Sequence, residues 1–240
     1  MKKNLFAIGA LSVTASLVHA DVLFESNFNG HNVAVDSGYV KDSTGAATAA
    51  VSWTQDASVT GISDLTAITS GGGFVNQDVA PFSTRDTLKV NYNLNNGADQ
   101  GFSLTFTVNT TWDLTSLQVV HQQTNGNGGE QTYTSDLNVS LSGGTLGSAV
   151  TDLVTYDYDT TTNTGAIAGS FETTDFDFTG TTIGAGTYTL QVFMNNLDQG
   201  GAYATFDGIT LNATAIPEPG SFALIAGMLA FASIMLRRRV

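Results

Sequence analysis

The chain has 240 residues, with 21 acidic against eight basic side chains and no cysteine. The missing thiols exclude cysteine nucleophiles, zinc–thiolate sites, iron–sulfur clusters and disulfides. A net charge of −13 opposes nucleic acid as a partner, because phosphate contacts need clustered Lys and Arg.

In chain order, Lys2 and Lys3 precede an apolar run from Leu5 to Val18, and Val18-His19-Ala20 offers small residues at the two positions a signal peptidase reads. This is the pattern of a secretory signal peptide spanning 1–20 and cut after Ala20. Between the chain ends lies one domain, 21–215, holding Lys41, Arg85 and Lys89 against 20 acids, or about −17. Thirty-four threonines, frequent glycine and only three prolines suit pleated, half-wet surface joined by turns.

The first expected strand is 21–28, followed by 47–53. The loop 69–84 contains Gly71-Gly72-Gly73, after which Leu88, Val90, Tyr92 and Leu94 alternate with polar residues. Strand 101–108 is the clearest: Phe102, Leu104, Phe106 and Val108 share one face, and Ser103, Thr105 and Thr107 the other. Strands 115–121 and 135–141 flank a polar loop, 122–132. Strand 164–171 follows, and then Asp175 and Asp177 alternate with Phe176 and Phe178 as a wet face over a buried one. Tyr188, Leu190, Val192 and Met194 are again in phase. In 203–211, Tyr203, Ile209 and Leu211 share a phase that Phe206 opposes, and Asp207-Gly208 between them marks a β-bulge. Many short strands without a helical period predict an all-β, antiparallel two-sheet sandwich of jelly-roll type.

The chain closes on Ile216-Pro217-Glu218-Pro219, an uncharged apolar run 221–236, and Arg237, Arg238 and Arg239. The prolines fix φ and remove amide donors, so the linker is expected to stay extended and accessible. The run predicts a single transmembrane helix of about 24 Å, short of a hydrocarbon core of ~30 Å unless the arginines snorkel. Those arginines belong on the cytoplasmic side, which leaves the domain outside. Pro217-Glu218-Pro219, the apolar run and the arginine cluster together resemble the PEP-CTERM sorting signal of Gram-negative bacteria that make exopolysaccharide. The resemblance covers 216–240 and implies export, transient anchoring, cleavage by an exosortase and delivery to the cell surface or extracellular matrix.

The stretches "DVLFESNF" and "YATFDGITL" are similar to the first and last strands of jelly-roll carbohydrate-binding modules. That resemblance implies that Glu25 and Asp207 lie near each other as calcium ligands, the alternative being two solvated acids at a sheet edge. For polysaccharide, the aromatic candidates are Trp53, Trp112 in a partly exposed turn, and Tyr133 in the long polar loop. "DYDTTTNTG", Asp157 to Gly165, begins like an EF-hand loop but has Thr162 at position six and Ala168 at position twelve, which excludes that motif. No Gly-x-Ser-x-Gly elbow or His-x-x-x-His pair occurs, and only His31 and His121 remain after residue 20. The reading is of a non-enzymatic exported protein that binds exopolysaccharide, with calcium as candidate cofactor. The alternative is an extracellular polysaccharide hydrolase or lyase, which needs two carboxylates across a cleft.

Overall fold

The computed structural model describes residues 21–28, 48–68, 74–76, 88–90, 99–125, 132–159, 171–195, 202–216 and 219–237. They form two seven-stranded antiparallel sheets and one C-terminal helix. The sequence-predicted all-β sandwich is the architecture found.

The first sheet runs β12 (Glu172–Ile183), β9 (Trp112–Asn125), β14 (Ala202–Ala215), β1 (Asp21–Ser26), β3 (Thr54–Gln55), with β7 (Leu88–Val90) pairing β14 and β6 (Phe74–Asn76) pairing β7. The second runs β11 (Val150–Asp159), β10 (Thr132–Gly143), β13 (Gly186–Asn195), β8 (Gln100–Val108), β5 (Leu65–Ile68), β2 (Thr48–Ala49), with β4 (Val59–Thr60) also against β8.

Period-two alternation decides which face of each strand goes inside. In β8, Phe102, Leu104, Phe106 and Val108 are buried, and β13 opposes them with Tyr188, Leu190, Val192 and Met194. Asp175 and Asp177 of β12 point to water while Phe176 and Phe178 are buried. The two sheets meet through edge-on aromatic pairs. Phe24 of β1 and Phe106 of β8 have ring centroids 4.9 Å apart, and Phe102 of β8 and Phe206 of β14 are 5.1 Å apart. Such pairs add about 0.5–1.5 kcal/mol each beyond simple burial.

Two strand expectations shift. The 47–53 strand becomes the short β2, a connecting stretch and β3, because the residues after Ala49 alternate between half-buried and exposed with no sustained apolar face. The strand expected at 115–121 starts at Trp112, and a register irregularity between Asn212 and Ala213 opposite it lets Leu114 and Leu117 both face the core. Of the loop expected at 122–132, the residues to Asn125 continue β9 and Thr132 begins β10, and 126–131 lie outside the described residues. The expected strand 164–171 lies almost entirely outside the described residues.

The C-terminal helix, α1 (Pro219–Arg237), begins on a proline. Pro219, expected in the extended linker, is instead helical, because a proline at the first helical position lacks only an N–H that would be unpaired anyway. Its 19 residues span about 28 Å. Residues 226–237 are exposed, including Phe231 at 65% and Leu236 at 62%. Among the described residues no helix is long and apolar enough to cross a membrane, so the transmembrane span expected at 221–236 is not shown. Its length falls short of the ~30 Å hydrocarbon core.

Candidate functional site

The first sheet brings β1 and β14 together near its edge. β1 pairs β14 antiparallel, with Glu25 opposite Thr210 and Ser26 opposite Ile209. On its other side Glu25 faces Thr54 of β3. A polar row thus crosses the outer face through Thr54, Glu25, Thr210, Gln118 and Asp175. Gln118 donates to the Asp175 carboxylate at 3.0 Å, which closes the far end of the row.

The expected bulge is present. Phe206 pairs with His121 and Gly208 with the next residue of β9, Val120, so Asp207 is the extra residue of β14. The bulge keeps Phe206, Ile209 and Leu211 all buried, although Phe206 is out of phase with the other two, and it turns Asp207 toward the outer face. Gly208 makes a close approach: a Cβ there would sit 3.0 Å from the Ser26 carbonyl oxygen, so β1 would have to give by a few tenths of an ångström to admit one. Asp207 and Gly208 border a depression.

That depression is a pocket of about 390 Å³, lined by Glu25, Asn27, Trp53, Val120, Asp207 and neighbouring Ser, Thr and Gly residues. It lies at the small end of the ~300–1,000 Å³ range usual for ligand sites. Trp53 is half-buried, and its ring meets Phe24 edge-on at 5.5 Å and 87°. The contact holds the indole against the core while part of its surface stays open to the pocket.

Local bonds fix the two segments that carry these groups. Where the chain leaves β1, the Phe28 N–H donates to Ser26 Oγ at 3.1 Å, and Phe28 takes φ 57° with its ring buried 5.7 Å from Phe102. A non-glycine residue in the left-handed region costs about 1–3 kcal/mol, offset here by that burial. On the Trp53 side, the Asp56 N–H donates to the Leu23 carbonyl at 3.0 Å, and Asp56 Oδ1 accepts from the Ser58 N–H at 2.7 Å. Hydrogen bonds from the Ser58 hydroxyl and backbone hold the Asp56 carboxyl below its ordinary range.

Behind the pocket, His121 is fully buried, its Nε2 2.6 Å from the Thr174 hydroxyl oxygen. Burial pushes its pKa down from 6.5 to about 4, so the ring is neutral at physiological pH. It is a core residue of β9, with no place in the pocket lining.

The sequence-predicted residues fare unevenly. Glu25 and Asp207 are brought to one pocket by the pairing of β1 with β14. Among the described residues, no group of three or more His, Cys, Asp or Glu is placed to hold a metal ion. Trp112 is corrected from a partly exposed turn residue to a core residue, 3% exposed, because it already belongs to β9 and its Nε1–H donates to Ser58 Oγ at 3.1 Å. Tyr133 lies within β10, opposite Tyr158 of β11, instead of in the loop. Of the sorting and processing residues, Pro219 and Arg237 bound α1, whereas Ala20, Pro217, Glu218, Arg238 and Arg239 lie outside the described residues. The aromatic that reaches the pocket is Trp53, which the sequence offered only as one of two tryptophans.

Compared with protein-family models and with curated proteins, the sequence matches none. Among solved structures, the chain is similar to a carbohydrate-binding module, TmCBM61, in complex with beta-1,4-galactotriose. Identity is 9% and the TM-score 0.32, over 61% of this chain and 85% of that one. A likeness that distant bears on neither ligand nor site.

Proposed function

We propose that this chain is an exported, non-enzymatic protein of the cell surface or extracellular matrix whose sandwich binds carbohydrate. The observation that carries the binding half is the pocket lined by Trp53, Glu25 and Asp207 together with Asn27, Thr54 and Thr210. A rigid aromatic surface suits the C–H face of a pyranose ring, and carboxylate, amide and hydroxyl groups suit its hydroxyls. The carboxylates engage the sugar directly or through a calcium ion completed by carbonyl and amide oxygens. Binding of the full chain to a panel of polysaccharides, with and without chelator, tests this. Uniform failure to bind removes the carbohydrate reading, and indifference to chelator removes calcium.

The export half rests on the sequence signals at 1–20 and 216–240 and on the exposed apolar side chains of α1, which suit a bilayer better than water. In this reading, signal peptidase cuts after Ala20, α1 anchors the precursor transiently, and an exosortase-type enzyme cleaves near Pro217-Glu218-Pro219. The mass of the protein recovered from cells and from medium reads both events. A mature form beginning at Asp21 and lacking 221–240 is expected, and an exported form that retains α1 would overturn the sorting step.

A further inference from the structure

The outer faces of the two sheets differ in charge. On the first sheet Glu25, Asp113, Asp175 and Asp177 are all exposed on outward positions. On the second, one register row runs from Ile68 of β5 through Gly101 of β8, Phe193 of β13 and Asn138 of β10 to Leu153 of β11. These positions alternate with the buried Phe102, Val192 and Leu137, so they belong to the outer face. Ile68 and Phe193 are half-buried, and Leu153 is 55% exposed. Three large apolar side chains therefore lie in one line over four strand spacings, about 19 Å, where alternation ordinarily puts polar groups.

The ground beside this stripe is hydroxyl-rich. The next row is Thr48, Thr66, Ser103, Gln191, Ser140 and Thr151. Beyond it the paired outward positions hold only threonine and serine, as at Thr107 and Thr187, whose hydroxyl oxygens are 2.8 Å apart. On the other side the row is Asn195, Asp136 and Thr155, with the Asp136 carboxylate accepting from the Thr155 hydroxyl at 2.6 Å. From the stripe toward Val108, no paired outward position among the described residues is charged, although the domain as a whole is near −17.

That pattern selects the occupant. Cores of protein interfaces concentrate Trp, Tyr, Met and Arg and are depleted of Ser, the reverse of this ground. An added strand finds the edge amide of Leu153 already taken, since it donates to the Asp152 carboxylate at 2.8 Å. An acidic polymer is repelled by the domain's charge. A neutral polysaccharide matches both parts, with C–H faces for the Phe193 ring and its aliphatic neighbours, and hydroxyls along its edges for Ser, Thr and Gln.

We propose that a neutral polysaccharide chain lies along the Ile68–Phe193–Leu153 stripe, crossing the strands. This rests on the carbohydrate reading and adds a second surface to it. The pocket is on the other sheet, where its lining residues Thr54, Glu25 and Thr210 form one outer-face row. One domain then holds a polymer on each side and bridges the two.

The full chain, in a detergent without a sugar headgroup, is titrated calorimetrically with β-1,4-linked hexamers of glucose, mannose and galactose, with the dimer of each, and with hexagalacturonate as the acidic probe. Each variant is first checked by thermal melt for a native transition. At least one neutral hexamer is expected to occupy two sites per chain and to bind at least about tenfold more tightly than its dimer or the acidic probe. Phe193→Leu keeps an apolar side chain opposite Gly101 but removes the aromatic face, and should weaken one site about threefold to tenfold. Leu153→Ser, at an exposed edge position, should weaken that same site about threefold. Trp53→Phe should act on the other site alone. Hexamer binding that neither Phe193→Leu nor Leu153→Ser changes overturns the inference and leaves the pocket reading standing. Loss at the stripe with no effect of Trp53→Phe supports the surface and removes the pocket, and the bridge with it. Hexagalacturonate binding as tightly as the neutral hexamers overturns the neutral assignment. Ligand-free self-association that Leu153→Ser abolishes makes the stripe a contact between copies and also overturns it. Failure of every probe removes both readings together.

Discussion

His121 makes the stability of this domain depend on pH in a direction that can be worked out. The imidazole is wholly buried in β9, and burial lowers its pKa from 6.5 to about 4. The unfolded chain therefore takes up a proton near pH 6.5 that the folded chain refuses until about pH 4. Stability from this group is complete above the unfolded value and is lost as pH falls toward the folded one. At about 1.36 kcal/mol per unit the full loss is about 3 kcal/mol, of which about 2 kcal/mol has gone by pH 5, before most carboxylates titrate. With a urea slope of about 2 kcal/mol/M, the denaturation midpoint should fall by about 1 M between pH 7.5 and pH 5. His121→Gln keeps a hydrogen-bonding group near the Thr174 hydroxyl and removes the titration. Its own cost should not vary with pH, so its midpoint should be nearly flat over that interval. A variant that loses as much stability as the wild type, or an imidazole NMR titration centred above pH 6, would refute the assignment.

Three further outcomes follow from close packing. Gly101 stands opposite Phe193, and an added Cβ would lie 2.0 Å from the Val192 carbonyl oxygen and 2.4 Å from Phe193 Cα. Both are backbone atoms that cannot turn aside, so Gly101→Ala should cost at least about 3 kcal/mol by chemical denaturation. The Tyr188 hydroxyl donates to the Gly184 carbonyl at 2.8 Å and accepts from the Thr145 N–H at 3.1 Å, tying the turn after β10 to the turn before β13. Tyr188→Phe should cost about 1–2 kcal/mol and speed hydrogen exchange at the Thr145 amide, whereas an unchanged exchange rate would show the bond to be absent. Phe206→Ala removes a ring that bridges the sheets to Phe102 and should cost about 3–5 kcal/mol, measured by the same denaturation.

What was legible in the sequence follows from how each feature is encoded. β8 and β13 are readable because every second residue is apolar over a long run, and a one-residue slip would expose the whole set. The Asp207-Gly208 bulge is readable because it alone reconciles Phe206 with Ile209 and Leu211. Trp112 misled because three polar residues precede it, yet the turn they make ends before it: the Asn109 N–H donates to the Ser58 carbonyl at 2.9 Å, and β9 starts at the tryptophan itself. The pocket had the weakest signal. Its aromatic wall comes from a stretch with no sustained period, held to β1 by two residue pairs, Phe24 with Gln55 and Glu25 with Thr54. Nothing in the residues around Trp53 specifies that pairing; it depends on Phe24 offering a ring edge, on Asp56 bonding back to Leu23, and on a glycine 155 positions later leaving room. Each of those contacts is ordinary alone, and the site exists only where the first and last strands of the domain bring them together. The same dependence gives the pocket a mechanical signature: Gly208→Ala sets a methyl 3.0 Å from the Ser26 carbonyl and should disturb ligand binding more than it disturbs the melting temperature. A variant that melts many degrees lower while binding normally would mean that the β1–β14 seam supports the fold without shaping the site.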